Sequence, residues 1–259
     1  MPRPSHRLLL SAVAAALALA AALAAGQASA RTNAQVTVYA AASLTDVFPK
    51  IDPAQKYQFG GSNTLAAQIT QGAPADVFAS ANMTLPNQLN AKGLCSKPVV
   101  FTRNTLVVVV PKSNPKNVRS IYDLAKADVK LVVAGAGVPV GSYTLQILRN
   151  MNLSASVTKN VVSQETDVRE VLAKVALGEA DAGFVYSTDA KTVADKVNVI
   201  KVPAWAQPKV QYGICVVSRS GNKTDAQAFI NKVVGKAGQA RMLGFGFLPR
   251  VKPTPAKKN

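Results

Sequence analysis

The mature part of this chain lacks histidine, because the only histidine in its 259 residues is His6, within a predicted signal peptide. Without histidine, the protein cannot form a Ser-His-Asp or Cys-His catalytic group or a histidine-based metal site. Carboxylates are also scarce: there are 13 Asp and Glu residues, and the sequence shows no tight, metal-like cluster of them. Glu165, Asp167 and Glu170 come closest, but acids at a predicted helix start usually serve the helix dipole. The composition therefore disfavours an enzyme.

Cysteine is rare as well, with Cys95 and Cys215 as the two examples. Both follow the predicted signal peptide, and an oxidising compartment makes a disulfide between them plausible. Two isolated buried thiols are the alternative. Spacing alone does not show proximity, so the sequence leaves both possibilities open.

The first thirty residues have the three parts of a cleavable secretory signal. Arg3 and Arg7 make the start basic, residues 8–25 are almost purely apolar, and residues 28–30 (Ala-Ser-Ala) fit a signal-peptidase site. No cysteine lies at the cleavage point, so a lipid anchor is not indicated. The sequence predicts a mature chain of 259 − 30 = 229 residues, located outside the cytoplasm, in the periplasm or secreted.

The mature chain is strongly basic. Removing Arg3 and Arg7 from the 30 Lys and Arg leaves 28, and 28 − 13 gives a net charge of +15. Such a surface suits anionic partners. Nucleic acid is a poor candidate, because the basic residues are dispersed, aromatics make up only 6% of the chain, and export removes the protein from most nucleic acid.

Short β-rich runs alternate with helical runs along the mature chain, which predicts an α/β fold with parallel sheets flanked by helices. Two runs are typical: the apolar stretch 104–111 predicts a strand buried on both faces, and 63–71 predicts a helix. Further strands are predicted at 36–40, 57–59, 76–80, 130–134 and 182–186 and in the segment QYGICVVSRS, and a last helix at 225–234.

In sheets of this kind ligands bind beyond the carboxyl ends of the strands. Small donors recur at these positions, often where a helix begins: Ser43, Ser62, the Val140 and Val168 backbones, and the Tyr186 hydroxyl. Each position alone has an ordinary structural explanation, such as a helix cap or a core residue. Their recurrence predicts a site that holds a small oxyanion through neutral donors.

The segment FGGSNTL carries the strongest single signal, because two glycines and a serine stand where a helix begins. Glycine lets another molecule come close to the unpaired N–H groups of a helix start, and Ser62 adds a hydroxyl donor. Gly60 and Gly61 are therefore predicted to allow close approach of the anion. The same serine could instead cap its helix.

Several segments resemble the periplasmic molybdate-binding proteins (the ModA family) of ATP-binding-cassette importers. The resemblance runs in order over nearly the whole mature chain, through VTVYAAASLTDVF, GSNTLAAQITQGAPADVFASA, NTLVVVVPKSNP, VPVGSYT and GEADAGFVYSTDA. It implies a two-lobed periplasmic-binding-protein fold of type II, each lobe a mainly parallel sheet flanked by helices. The ligand would be molybdate or tungstate between the lobes, with no protein cofactor.

By motif, the resemblance implies the ligand contacts. Ser43 and Ser62 would bind through hydroxyl and backbone N–H, Val140 and Val168 through backbone N–H, and Tyr186 through its phenol. Molybdenum would be held as its oxyanion, with no direct protein–metal bond. The implied partner is an ABC permease in the membrane, and the chain is expected to be a monomer that binds no nucleic acid.

The sequence departs from the family pattern at two places. The stretch between the first two motifs is short and contains Pro49 and Pro53, which predicts a truncated first helix. Val140 stands where a small alanine is usual, so its larger side chain affects the size of the cavity.

The predicted domains are the signal peptide 1–30, a first lobe of 31–104 with 214–259, and a second lobe of 105–213. The crossovers are expected near 101–110 and 211–217. Three alternatives remain: the same fold binding another oxyanion such as sulfate, a secreted enzyme on this fold, and a surface sensor module. Molybdate and tungstate are nearly equal in size and charge, so the sequence does not separate them.

Overall fold

The computed structural model describes residues 34–250, so the predicted signal peptide and the last nine residues lie outside the described part. From Gln35 onward the described chain forms one compact unit. Its ten strands are β1 Thr37–Ala41, β2 Lys56–Gly60, β3 Val77–Ser80, β4 Val99–Asn104, β5 Leu106–Pro111, β6 Leu131–Ala134, β7 Val161–Glu165, β8 Ala182–Tyr186, β9 Val197–Lys201 and β10 Val210–Val216.

The strands form two five-stranded sheets, and each sheet with its helices is called a lobe here. The first lobe has the strand order β2-β1-β3-β10-β4, and the second has the order β7-β6-β8-β5-β9. The two-lobed α/β fold is confirmed. Each sheet is mixed, however, because β10 pairs antiparallel with β3 and β4, and β5 pairs antiparallel with β8 and β9. The antiparallel pairings come from the strands next to the crossovers, which enter a sheet without a helical βαβ connection.

The helices begin beyond the carboxyl ends of strands, as the α/β alternation predicts. A short 3-10 turn, Ala42–Leu44, follows β1, and the first α-helix has only four residues, as the prolines predict. The α-helices are α1 Phe48–Ile51, α2 Ser62–Thr70, α3 Thr84–Ala91, α4 Pro139–Asn150, α5 Ser154–Thr158, α6 Val168–Ala176, α7 Ser187–Lys191, α8 Lys223–Val234 and α9 Lys236–Gly244.

The chain passes between the lobes twice, at Thr105 and in the segment 202–209. The two crossovers are joined by Gln207, whose Oε1 accepts from the Leu106 N–H at 3.1 Å and whose Nε2 donates to the Leu106 carbonyl at 2.7 Å. Strand β10 starts at Val210 and pairs with β4, so residues 210–213 lie in the first sheet, although the sequence places them in the second lobe. The division into lobes at the predicted boundaries otherwise remains a prediction.

Apolar packing holds the strands in place. All six residues of β5 are buried, which fits the continuous apolar run in the sequence. Cys95 and Cys215 are free thiols in a smaller apolar cluster on the first sheet, and a hydrogen bond between them lowers the pKa of Cys95. The disulfide therefore remains a prediction between adjacent thiols. Among residues 34–250, no helix is long and apolar enough to cross a membrane.

Candidate functional site

The five predicted site residues line one small cavity. The cavity lies at the carboxyl ends of strands from both sheets, so residues of both lobes form its wall. The lining residues are Ala41, Ala42, Ser43, Gly60, Gly61, Ser62, Ala81, Val138, Pro139, Val140, Asp167, Val168 and Tyr186. Since none of these described residues is basic, the cavity offers an anion neutral donors rather than a counter-ion.

Ser43 lies in the 3-10 turn that follows β1, and only 3% of it is exposed. Its hydroxyl does not cap the turn. Its Oγ lies 3.0 Å from the Tyr212 Oη, on β10 of the same sheet. Tyr212 is a residue that the sequence analysis missed, because its segment shows no motif and its link to Ser43 spans 169 positions.

Ser62 is the first residue of α2, and Gly61 is the N-cap, so Ser62 does not cap its own helix. Its Oγ instead accepts a hydrogen bond from the Ala81 N–H at 3.1 Å. Because that bond uses a lone pair of the oxygen, the hydroxyl proton is left to donate. The N–H groups of the first helical turn also have no intrahelical acceptor.

The backbone of the second lobe leaves no room for a side chain at Gly61. A Cβ at this position would lie 2.2 Å from the Thr166 carbonyl oxygen in the second lobe, whereas a Cβ at Gly60 would make only ordinary contacts. Both glycines line the cavity, so the expectation that they admit the ligand remains a prediction. Gly61 lets the two lobes approach each other beside the cavity, and this close contact defines a closed arrangement.

Val140 lies in the first turn of α4, after Pro139, which has no N–H to satisfy. No side chain caps this helix start, so its free N–H groups belong to Val140 and Gly141. A Cβ at Gly141 would lie 2.1 Å from the Gly135 carbonyl oxygen, which fixes how the helix start meets the preceding loop. The Val140 residue is 1% exposed and belongs to the hydrophobic core.

Val168 is the first residue of α6, and Asp167 is its N-cap. The Asp167 Oδ1 accepts from the N–H groups of Arg169 at 2.7 Å and Glu170 at 3.2 Å. This cap leaves the Val168 N–H, one position earlier, without an intrahelical acceptor. Asp167 is a cavity-lining carboxylate that the sequence analysis assigned to the helix dipole alone, and the cap agrees with that assignment.

Tyr186 ends β8 and is 1% exposed. Its Oη has no hydrogen-bond partner among residues 34–250, although a buried hydroxyl is costly when unpaired. Burial raises the pKa of Tyr186 well above its ordinary value, so the phenol keeps its proton and can act as a donor. An unpaired donor at the wall of a cavity is the feature expected where a ligand oxygen binds.

Charged groups next to the cavity are paired with one another. Arg169 of the second lobe makes ion pairs with Asp46 of the first lobe and with the fully buried Asp189, whose Oδ1 lies 2.9 Å from its Nε. Burial raises the pKa of Asp189 to about 6, although Arg169 opposes the shift. The Arg169 charge is thus committed to two carboxylates, one of them across the boundary between the lobes.

Within the described chain, no group of three or more His, Cys, Asp or Glu residues is placed to hold a metal ion. The arrangement can do one kind of chemistry well. Hydroxyl, phenol and backbone N–H donors line one small space, which suits the binding of a small anion.

Residues 36–248 match the family model for bacterial extracellular solute-binding proteins. The chain is 38% identical over 222 residues to the molybdate-binding protein ModA of Mycobacterium tuberculosis, a match that covers 82% of this chain and 84% of the relative. The periplasmic molybdate-binding protein of Azotobacter vinelandii has a TM-score of 0.73 at 21% identity, covering 85% of this chain and 100% of that one. The sulfate-binding protein SubI of Mycobacterium tuberculosis also has a TM-score of 0.73, at 18% identity, covering 83% and 87%. The fold is thus shared by proteins named for two different oxyanions.

Proposed function

This chain belongs to the bacterial extracellular solute-binding proteins and, within them, to the ModA family of molybdate-binding proteins, and we propose that it holds molybdate or tungstate in the cavity between its lobes. As a family member it captures molybdate outside the cytoplasm and delivers it to an ATP-binding-cassette importer. The observation that carries the proposed site is the convergence of Ser43, Ser62, Val140, Val168 and Tyr186 on one small cavity. No protein atom bonds the metal in this arrangement, because all five groups donate to oxo oxygens.

The buried Tyr186 Oη has no hydrogen-bond partner among residues 34–250, so it is free to donate to a bound oxygen. A hydrogen bond to a charged oxygen contributes roughly 1.5–3 kcal/mol. Together with two serine hydroxyls and the N–H groups at the starts of α2, α4 and α6, it offsets the desolvation of a dianion. The protein therefore needs no basic residue at the cavity wall.

Closure couples binding to delivery. Donors come from both lobes, so all of them are satisfied only in the closed arrangement, and the ligand shifts the population toward it. The Gly61–Thr166 approach and the Asp46–Arg169 ion pair hold the lobes together in that arrangement. We infer that the closed monomer is the form that docks on the membrane permease.

Selectivity is expected to follow from the size of the anion and from the number of protons that it carries. Molybdate and tungstate share both, so both are expected to bind. Sulfate is smaller and would make longer hydrogen bonds in the same cavity. Hydrogen phosphate carries a proton that needs an acceptor, and the backbone N–H groups of Val140 and Val168 supply none.

Calorimetric titration of the mature chain with molybdate, tungstate, sulfate and phosphate at physiological salt tests the proposal. Tight one-to-one binding of the first two and weak binding of the others is expected, with no turnover of any of them. Ser62→Ala should weaken molybdate binding by about tenfold or more. Ser156→Ala is the matched control, because the Ser156 hydroxyl bonds only the Leu153 carbonyl of its own turn.

Two outcomes would contradict the proposal. Equal affinity for sulfate and molybdate would make the chain a general oxyanion carrier. Tight molybdate binding that Ser62→Ala leaves unchanged would place the ligand elsewhere.

A further inference from the structure

A chain of buried hydrogen bonds leads away from the ligand cavity to the first crossover between the lobes. It runs from Ser43 to Tyr212 and then to Asn104, the last residue of β4. Ser43 is 3%, Tyr212 0% and Asn104 3% exposed. Tyr212 and Asn104 do not line the cavity, so neither can touch the ligand.

The direction of these bonds is set at the crossover. The Asn104 Oδ1 accepts from the Thr105 backbone N–H at 2.9 Å, and a backbone N–H can only donate. The same oxygen accepts from the Ser187 Oγ at 3.0 Å. These bonds fix which way the Asn104 amide points, so its Nδ2 donates to the Thr188 Oγ1 at 2.9 Å and to the Tyr212 Oη at 3.5 Å.

The same direction passes on to Ser43. Either hydroxyl can donate in the Ser43–Tyr212 pair, whose oxygens are 3.0 Å apart, and the contact from the Asn104 Nδ2 favours Tyr212 as the donor. Burial raises the pKa of Tyr212 well above its ordinary value, so its hydroxyl proton is present at every working pH. With Tyr212 as the donor in that pair, the Ser43 hydroxyl proton is free to donate into the cavity.

We propose that Tyr212 is a positioning residue that holds the Ser43 hydroxyl so that its proton points to the bound oxyanion, with Asn104 favouring this direction of donation. This inference rests on the proposed function, because it assigns Ser43 a ligand contact. Bonds aligned in one direction also polarise one another, which strengthens the last donor of the series.

A double-mutant cycle tests the proposal. Molybdate affinity is measured by calorimetry for the wild type, Tyr212→Phe, Ser43→Ala and the double variant. Tyr212→Phe keeps the buried ring and removes the hydroxyl, and a loss of about five- to tenfold is expected. In the Ser43→Ala background the same change should alter affinity less than about twofold, because Tyr212 acts through Ser43.

Tyr57→Phe is the matched control. Tyr57 lies in the same sheet, and its Oη bonds the Phe48 and Asp52 carbonyls rather than the site. This variant should leave molybdate affinity unchanged.

The outcomes are distinguishable. A wild type that does not bind molybdate contradicts the proposed function itself. A wild type that binds, with equal losses from Tyr212→Phe in both backgrounds, overturns the positioning role and leaves the function standing. Should Tyr212→Phe not fold, Asn104→Ser perturbs the series from its other end, and the same dependence on Ser43 is expected. A loss from Asn104→Ser that persists in the Ser43→Ala background would also overturn the proposal.

Discussion

The two lobes contribute differently to the cavity. In the first lobe, the Ser43 and Ser62 hydroxyl oxygens are already engaged, with Tyr212 and the Ala81 N–H respectively. In the second lobe, Tyr186 has an unpaired hydroxyl, and Val140 and Val168 offer backbone N–H groups at helix starts. In the proposed site, the first-lobe hydroxyls are therefore already hydrogen-bonded within the protein, whereas the second-lobe donors remain for the ligand.

The largest effect on this difference between the lobes is expected from a substitution that prevents the two lobes from closing. Gly61→Ala would place a Cβ 2.2 Å from the Thr166 carbonyl oxygen, so the lobes could not close fully. Since half of the donors would then miss the ligand, molybdate affinity should fall by about a hundredfold or more. Calorimetry measures the loss.

Gly137→Ala is the control for this change. Gly137 also faces the other lobe, but its Cβ would meet only the Asn63 Nδ2, at 3.9 Å. Affinity close to that of the wild type is expected. Gly61→Ala with wild-type affinity would show that the close contact is not needed for binding.

Removing one hydroxyl from each lobe tests the difference between the two lobes directly. Tyr186→Phe should weaken molybdate binding about ten- to a hundredfold and leave the unliganded protein as stable or slightly more stable, because it removes an unpaired buried group. Ser62→Ala should also weaken binding, but it leaves the Ala81 N–H without its acceptor and should lower the free energy of unfolding by about 1–3 kcal/mol. Thermal unfolding of both variants without ligand measures the difference. Equal destabilisation by the two changes would contradict the distinction between the lobes.

The smallest expected effect is a pH dependence that belongs to the second lobe. Burial raises the pKa of Asp189 to about 6, above the ordinary value of ~3.9, despite Arg169. Between these values the folded state binds more protons than the unfolded state, so stability falls as pH rises from about 4 to 6 and then levels off. The contribution is on the order of 1–3 kcal/mol.

Urea unfolding at several pH values between about 4 and 7 tests this prediction, with Asp189→Asn as the variant that does not titrate. The variant should lack the Asp189 part of the slope, because the Asn amide does not titrate in that range. A slope identical to that of the wild type would show that another group carries the pH dependence.

Much of the fold was predictable, because its elements carry local signals. The apolar run before Tyr186 predicts a strand at 182–186, and the structure has Ala182–Tyr186. The helix predicted at 63–71 is Ser62–Thr70. Strand β9 and helix α9 were not predicted. Strand β9 is a half-exposed edge strand, and α9 contains glycine and buries few residues.

The candidate site was also predictable in part. Ser43 and Tyr186 follow strands, and the topology of such sheets brings strand ends together, so their shared cavity was predictable. The contacts of Ser43 with Tyr212 and of Gly61 with Thr166 were not, because each joins residues more than a hundred positions apart. Pairings of that kind depend on tertiary packing, for which the local sequence has no periodic signal.

The contact between Gly61 and Thr166 has a kinetic consequence. It lies beside the cavity and joins the two lobes, so a bound ion leaves only after the lobes separate. Release then includes a conformational step that is slower than the breaking of individual hydrogen bonds. The residence time of the ion is set by how often the lobes open, and two oxyanions of equal size are expected to leave at similar rates. A transporter that opens the lobes by contact would therefore control when the cargo is released.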